Sequence, residues 1–272
     1  MNDCTIVVNS CDAYEDLWLP FFTLLKRRWP DCPYPVLLNT ESREFHLDGL
    51  DIRRAALQGA PASLSWSDRL RQTLKQVDTP FVLLLLDDFF LESPVDTERF
   101  AQCLAWMKND AKLACFSFVP TIWPNVEDGK YPGFQRRPRR AAYTANCQAG
   151  LWRTKTLLKL LRRKENPWEF EEYATIRANH TNLEFYAAAK DAPLIMDYDW
   201  RPGGAVHRGK WTRHVPQLLQ EIGVPMDLSL RGTDTAPIAE YQEENLQMPS
   251  FYRYQMGRIW GCFVKKVRGK RS

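Results

Sequence analysis

The sequence lacks paired cysteine motifs. Its seven cysteines are scattered without CxxC spacing, and an odd, patternless set argues against a disulfide framework or a structural zinc site. It also lacks a long apolar run. The longest, Phe81 to Leu86, is far too short to cross a bilayer. Met1 to Asp3 lead straight into an apolar stretch, so no signal peptide is expected. No Pro/Gly/Ser-rich linker, internal repeat or low-complexity tract divides the chain. Charge of one sign is also missing: 37 Lys and Arg against 33 Asp and Glu leave a net charge of +4, which does not suggest a nucleic-acid binder. These absences make the reducing cytosol the simplest compartment.

What is present is core material. Of 272 residues, 44% are hydrophobic and 12% aromatic, enough for one sizeable core. The expected organisation is one catalytic domain over 1–245 and a basic amphipathic segment over 246–272. Two basic clusters stand out, Arg136-Arg137-Pro138-Arg139-Arg140 and Lys265 to Arg271. Each reads as a solvated face or tail.

The first ~120 residues alternate strand and helix signals. Thr5 to Asn9, Pro35 to Asn39, Phe81 to Leu86 and Leu113 to Phe118 are short apolar runs. Between them, Tyr14 to Trp29 has helical periodicity, with Pro20 expected to kink or divide it. Ser65 to Val77 reads as a helix with Ser65 as N-cap, and Asp96 caps another through Met107. This alternation predicts an α/β fold with a mainly parallel central sheet and helices on both faces. Ligands of such sheets sit at the carboxyl ends of the strands, so chemistry is expected after Asn9, Asn39 and Leu86.

The second half is less regular. Pro120 to Thr144 reads as a long loop. Gln148 to Trp152 is a candidate strand, and Thr154 a cap for a helix over Lys155 to Lys164. Asn166-Pro167 starts a further helix. Leu194 to Tyr198 reads as the last strand, before a polar loop from Arg201 to Trp211.

The sharpest motif is Leu83-Leu-Leu-Leu-Asp-Asp-Phe-Phe90. Two carboxylates at a strand end, against the core, are electrostatically costly unless paired. A divalent cation, Mg²⁺ or Mn²⁺, is a natural partner, because it takes one or two carboxylates plus diphosphate oxygens. His207 and Lys210, in Ala205-Val-His-Arg-Gly-Lys-Trp211, supply an imidazole for the metal and a cation for phosphates. Ser10 and Asp12, after the first strand, suit a base and ribose, although Asp12 also reads as a helix cap. Trp66 and Arg69 lie on the helix before the Asp strand, where Arg69 either reaches a phosphate or is an exposed helix charge. Glu171 and Glu169, in Asn166-Pro-Trp-Glu-Phe-Glu171, are candidate bases. Acids in a first helical turn stay ionised and can accept a proton from a hydroxyl. Glu169 also has capping-box spacing from Asn166, so Glu171 ranks first.

Together these residues resemble the GT-A fold of nucleotide-sugar glycosyltransferases. The segments Cys11-Asp-x-Tyr-x-Asp-Leu-Trp18, Trp66-Ser-x-Arg-Leu70 and Leu-Leu-Asp-Asp-Phe-Phe90 are similar to those of bacterial transferases that build surface polysaccharides. The likeness runs from about residue 4 to 215. It implies a GT-A-like Rossmann-type fold with a C-terminal helical tail. About 1–120 would take the nucleotide sugar and about 145–215 the acceptor, a glycan or lipid-linked glycan. Asp87 then corresponds to the ribose- or metal-contacting acid, Asp88 to the metal ligand, and His207 to a late metal-binding His. Here the acids are adjacent, where the family usually has Asp-x-Asp. The implied reaction is metal-assisted sugar transfer with inversion, in the cytoplasm.

Two other readings stay open. A nucleotidyltransferase acting on sugar phosphates normally carries a Gly-rich loop after the first strand, which Asn9-Ser-Cys-Asp12 is not. A non-catalytic carbohydrate-binding protein of the same fold needs no turnover. At the C-terminus, Tyr252, Met256, Ile259, Trp260, Phe263 and Val267 recur at helical spacing among Arg253, Arg258, Lys265 and Lys266. That pattern suits either the surface of an anionic bilayer, which would put the chain on the inner face of the cell membrane, or a last helix packed on the catalytic domain with Lys265 to Arg271 as a soluble tail.

Overall fold

Ile6 and Val8 of strand β1 (Cys4–Asn9) belong to one apolar cluster, and Val7 belongs to another. The same alternation runs along β4 (Phe81–Leu86), where Leu83 and Leu85 join the first cluster and Val82 and Leu84 the second. A strand with apolar residues on both faces must be covered on both. Each fully buried leucine contributes about 1.5–3 kcal/mol. The structure is a computed structural model that describes residues 2–60, 63–121, 125–198, 204–207 and 209–234.

The covers are helices. On the first face lie α1 (Glu15–Arg28), α3 (Thr97–Asn109) and α6 (Val215–Ile222), contributing Trp18, Phe21, Phe22, Phe100, Met107 and Leu219. On the second lie α2 (Trp66–Leu74), α4 (Thr154–Leu160) and α5 (Pro167–Asn179), contributing Leu70, Leu74, Leu157, Phe170 and Ala174. Between them the eight strands run in the order β3-β2-β1-β4-β7-β5-β8-β6. The remaining members are β2 (Val36–Asn39), β3 (Ile52–Arg54), β5 (Leu113–Ser117), β6 (Phe134–Arg136), β7 (Gly150–Arg153) and β8 (Glu184–Ala188). β7 is antiparallel to both β4 and β5, and β6 is antiparallel to β8; the other pairings are parallel. The expected α/β class, with a mainly parallel sheet between helices, is therefore present.

Local signals explain most of the elements. Ser65 caps α2 by accepting the Asp68 N–H, and Asp96 caps α3 by accepting the Arg99 N–H. Asn166 and Glu169 form a reciprocal capping box at the start of α5, with Pro167 at its first turn. Pro20 lies within α1 and does not divide it.

Four expectations are corrected. The Pro120 to Thr144 segment is not wholly a loop: it contains β6, which pairs with β8. Thr154 does not cap its helix. Its hydroxyl donates to the Thr79 carbonyl at 3.0 Å, and α4 stops at Leu160 because Leu161 turns to extended backbone. Leu194 to Tyr198 is no strand; its Ile195 and Asp197 carbonyls accept the Asp96 and Glu92 N–H groups from a loop. The sheet position belongs to Glu184–Ala188 instead. The loop from Arg201 to Trp211 holds a hairpin, β9 (Val206–His207) against β10 (Lys210–Trp211). The basic, aromatic segment 246–272 lies outside the described residues.

Candidate functional site

β7 pairs with β4 only as far as Leu84. Beyond that point the β4 backbone needs another partner. Tyr198 provides it: its hydroxyl donates to the Leu86 carbonyl at 2.7 Å and accepts the Leu86 N–H. The Tyr198 ring stacks on Phe89 with centroids 5.3 Å apart. Asp87 and Asp88 thus leave the sheet at its carboxyl end.

Asp87 follows the parity of Leu83 and Leu85 and turns toward α1. It is 3% exposed. Its Oδ2 accepts the Ser10 hydroxyl and the Trp18 indole N–H, the latter at 3.1 Å. Burial pushes its carboxyl well above the usual range, and Asp88 adds to the rise; the two donors pull the other way. Asp88 is half-buried, and its carboxyl is pushed up to about 6 by burial. Only its own backbone N–H and the charge of Arg231 oppose this. Among the described residues Asp88 has no side-chain hydrogen-bond partner.

Arg231 carries no signal in the sequence. Its guanidinium forks onto Asp16 with two contacts of 2.6 Å, and lies over the Tyr14 ring at 4.6 Å from the centroid. Tyr14 in turn senses the charge of both Asp88 and Arg231.

The ends of β1 and β2 form a second polar cluster. Asn39 donates to Asn9 at 2.5 Å and accepts the Thr73 hydroxyl at 2.9 Å. Asp12 is not a helix cap. Its carboxylate accepts the backbone N–H groups of Glu41, Ser42 and Arg43 at 3.0–3.1 Å and so holds the loop after β2. Arg69 is buried: it donates to the Ser10 carbonyl at 3.3 Å and pairs with Glu41. The exposed-charge alternative for Arg69 is thereby removed. Glu41 was missed, although the strand-end rule pointed to the loop after Asn39. Trp66 is half-buried, its ring 5.5 Å from that of Phe170.

The hairpin docks on the acid pair through Gly204 and Ala205. Ala205 N–H donates to the Asp88 carbonyl at 2.6 Å. Gly204 has φ 84°, and a Cβ there would lie 2.5 Å from that same oxygen. Both conditions require glycine. His207 and Lys210 are cross-strand partners and both exposed. His207 Nδ1 lies 3.2 Å from Asp234.

On α5 the two acids separate. Glu169 is committed to the capping box through the Asn166 N–H at 3.0 Å. Glu171 accepts the Cys147 N–H at 2.9 Å through one oxygen. Burial raises its pKa, against that hydrogen bond. Burial holds the Cys147 thiol well above its usual range, and the charges of Glu171 and Asp88 add to the rise. One helical turn further, Thr175 holds Ala145 by its N–H and carbonyl; another turn on, Asn179 accepts the Arg140 N–H at 3.0 Å. Glu171, Thr175 and Asn179 thus form one stripe that carries residues 140–147 along the helix.

A divalent cation fits the electrostatics at the acid pair: Asp87, buried, is offset by the Ser10 and Trp18 donors, and half-buried Asp88, among the described residues, by its own N–H and the charge of Arg231. Among the described residues, however, no group of three or more His, Cys, Asp and Glu gathers in ligating array. The carboxylates of Asp87 and Asp88 are the groups there that could take a cation.

No family model and no curated protein matches the chain. Among solved structures it is similar to TarS 1-349 of S. aureus, with 12% identity over 69% of this chain and 60% of that one, and a TM-score of 0.45. The same protein in complex with UDP-GlcNAc gives 13% identity, 85% and 69% coverage, and a TM-score of 0.43. A mannosyltransferase of Pyrobaculum calidifontis in complex with GDP-Man and Mn²⁺ gives 11%, 69% and 54%, and 0.41. The chain spans 60% of the first of these proteins and 54% of the third. Among the described residues, no helix is long and apolar enough to cross a membrane.

Proposed function

We propose that this chain is a GT-A-type glycosyltransferase whose nucleotide-sugar donor lies across the carboxyl ends of β1, β2 and β4. The observation that carries this reading is Asp88: a carboxyl raised to about 6 by burial, without a side-chain partner among the described residues, beside a second acid anchored by Ser10 and Trp18. Such a pair is arranged for a cation-bound diphosphate. Asp88, with Asp87 beside it, would hold Mn²⁺ or Mg²⁺. The chemistry a bound cation supplies is charge neutralisation on the leaving diphosphate. His207 remains a candidate further ligand, and Lys210, on the same hairpin, a cation for the phosphates.

The network of Asn9, Ser10, Asn39, Glu41, Arg69 and Thr73 supports a nucleoside position beside the pair. Asp12 serves that position by holding the 41–43 loop. Glu171 is the base for the acceptor hydroxyl, using the oxygen that does not accept the Cys147 N–H, and attack proceeds with inversion. Glu169 keeps second place, because its carboxylate is engaged in the capping box. The acceptor is a glycan or lipid-linked glycan of bacterial surface polysaccharide synthesis. The aromatic and basic pattern of the C-terminal segment supports a place at an anionic membrane surface.

The test is a thermal-shift panel of UDP-, GDP-, CMP- and dTDP-sugars with and without Mn²⁺, followed by turnover of the donor that stabilises. Nucleoside diphosphate should be released, and Asp88→Asn should abolish the metal-dependent rate while the fold stays intact. Near-normal turnover of Asp88→Asn in EDTA would remove the metal assignment. Consumption of a nucleoside triphosphate with release of pyrophosphate would favour the nucleotidyltransferase instead.

A further inference from the structure

A cavity of about 150 Å³ lies at the outer edge of the sheet, bounded by the end of β6, the start of β8 and the end of α5. Arg136, Arg137, Arg139, Asn179, Thr181 and Asn182 line it. It is separated from the acid pair. Asn179 is eight residues beyond Glu171 on α5, or about 12 Å along the axis.

The basic run 136–140 reads from sequence as a solvated face, but Arg137 is only 6% exposed. Its N–H donates to the Phe185 carbonyl at 2.7 Å, which extends the β6–β8 ladder by one step and holds the side chain inside. The guanidinium donates to Asn125, Thr121 and the Ala142 carbonyl, all neutral acceptors. Its Nε has no partner among the described residues, and neither does the Asn179 Nδ2. The Asn179 amide is oriented, because its oxygen accepts the Arg140 N–H at 3.0 Å. The carboxylate in the lining, Glu184, is engaged with Lys130 at 2.7 Å.

A buried guanidinium facing only neutral acceptors is costly. Burial pushes the Arg137 pKa down to about 10, the mark of a charge without a counter-ion. Water in the cavity would leave that charge uncompensated, whereas an oxyanion would offset it. With a water's share of liquid volume at about 30 Å³, the cavity has room for a tetrahedral anion and some of its hydration.

We propose that this cavity binds a phosphate-class oxyanion, drawn by the uncompensated charge of Arg137 and by the exposed Arg139 in its lining; Arg136 is already paired with Asp128 at 3.0 Å. The site is independent of the sugar-transfer reading, since it would bind its anion whatever reaction occurs at Asp88.

The experiment titrates the full chain, in phosphate-free buffer, with inorganic phosphate, methyl phosphate and dimethyl phosphate, read by calorimetry and thermal shift. Saturable, salt-sensitive binding of at least one of them is expected. Arg139→Glu, a change at an exposed position, and Asn179→Asp, which keeps the acceptor for Arg140 but puts a carboxylate in the cavity, should each weaken it about tenfold or more. Preference for an ester would mean that the anion is carried on a larger ligand, and preference for inorganic phosphate would mean a free anion. Absence of saturable binding, or equal binding by the wild type and both variants, overturns the proposal.

Discussion

Gly204→Ala separates docking of the hairpin from ordinary glycine strain. Two costs meet at this position. The left-handed φ of 84° costs an L-residue about 1–2 kcal/mol. The new Cβ would also lie 2.5 Å from the Asp88 carbonyl oxygen, a backbone atom that cannot swing aside. Relieving that overlap means moving the 204–205 segment off Asp88 and stretching the Ala205 hydrogen bond; overpacking of this kind costs about 1–3 kcal/mol. The sum is about 2–5 kcal/mol. At about 2–4 °C per kcal/mol for a chain of this size, the midpoint should fall by roughly 4–20 °C. Gly223→Ala is the control. Gly223 has a similar φ of 65° at the end of α6, but its Cβ would meet nothing within 4 Å. It should cost about 1–2 kcal/mol, the left-handed φ alone, and leave turnover unchanged. Differential scanning calorimetry reads the midpoints, and donor turnover reads the acid pair. Equal midpoints for the two variants would refute the contact between Gly204 and Asp88, and with it the position of His207 and Lys210 beside the site.

Four other outcomes are expected. Glu171→Gln should cut turnover by roughly 10²-fold with little change in donor affinity; unchanged turnover there, with a collapse in Glu169→Gln, would transfer the role. Because the Glu171 pKa is raised, wild-type turnover should fall as pH drops through that value, a limb that a pH profile reads directly. Asp110→Asn should lower stability at neutral pH. The hydrogen bond from Lys130 lowers the Asp110 pKa to about 2, so its contribution is full above the unfolded value of about 3.9 and fades as pH falls toward 2. Urea midpoints of wild type and variant should therefore converge in acid, and a constant gap would contradict the linkage. Deletion from Phe251 should abolish sedimentation with anionic liposomes at low salt, whereas unchanged sedimentation would end the membrane reading.

The parts of the fold legible in the sequence were those written in local chemistry. The six apolar residues of β4, the Ser65 and Asp96 caps and the Asn166–Glu169 box need no distant partner to be recognised. The parts that escaped depend on tertiary pairing. β6 and β8 are short, and β8 begins with Glu184, whose charge is explained only by Lys130. Leu194 to Tyr198 has a strand's composition but packs as a buried loop, because its carbonyls serve the 92–96 segment. Within the site, the acid pair was legible from its place at a strand end, and Arg69 from its place on the helix before that strand. Arg231 was not, since it stands in a stretch after α6 that carries no motif and meets Asp16 and Tyr14 only in the folded chain. Asp12 was found, but its work on the 41–43 backbone was hidden in a loop that carries no motif.

The stripe on α5 sets a rule for how this chain can change over time. Glu171, Thr175 and Asn179 hold three successive points of the 140–147 segment because they are spaced by one helical turn each. A substitution at any one removes one attachment. A single-residue insertion or deletion between them rotates everything beyond it by about 100° around the helix axis, so every attachment past the change is lost together. Homologues should therefore vary freely at outward positions such as Trp168, which is 77% exposed. The stretch from Glu171 to Asn179 should keep its length even where its letters drift, and a family alignment should run without gaps through it.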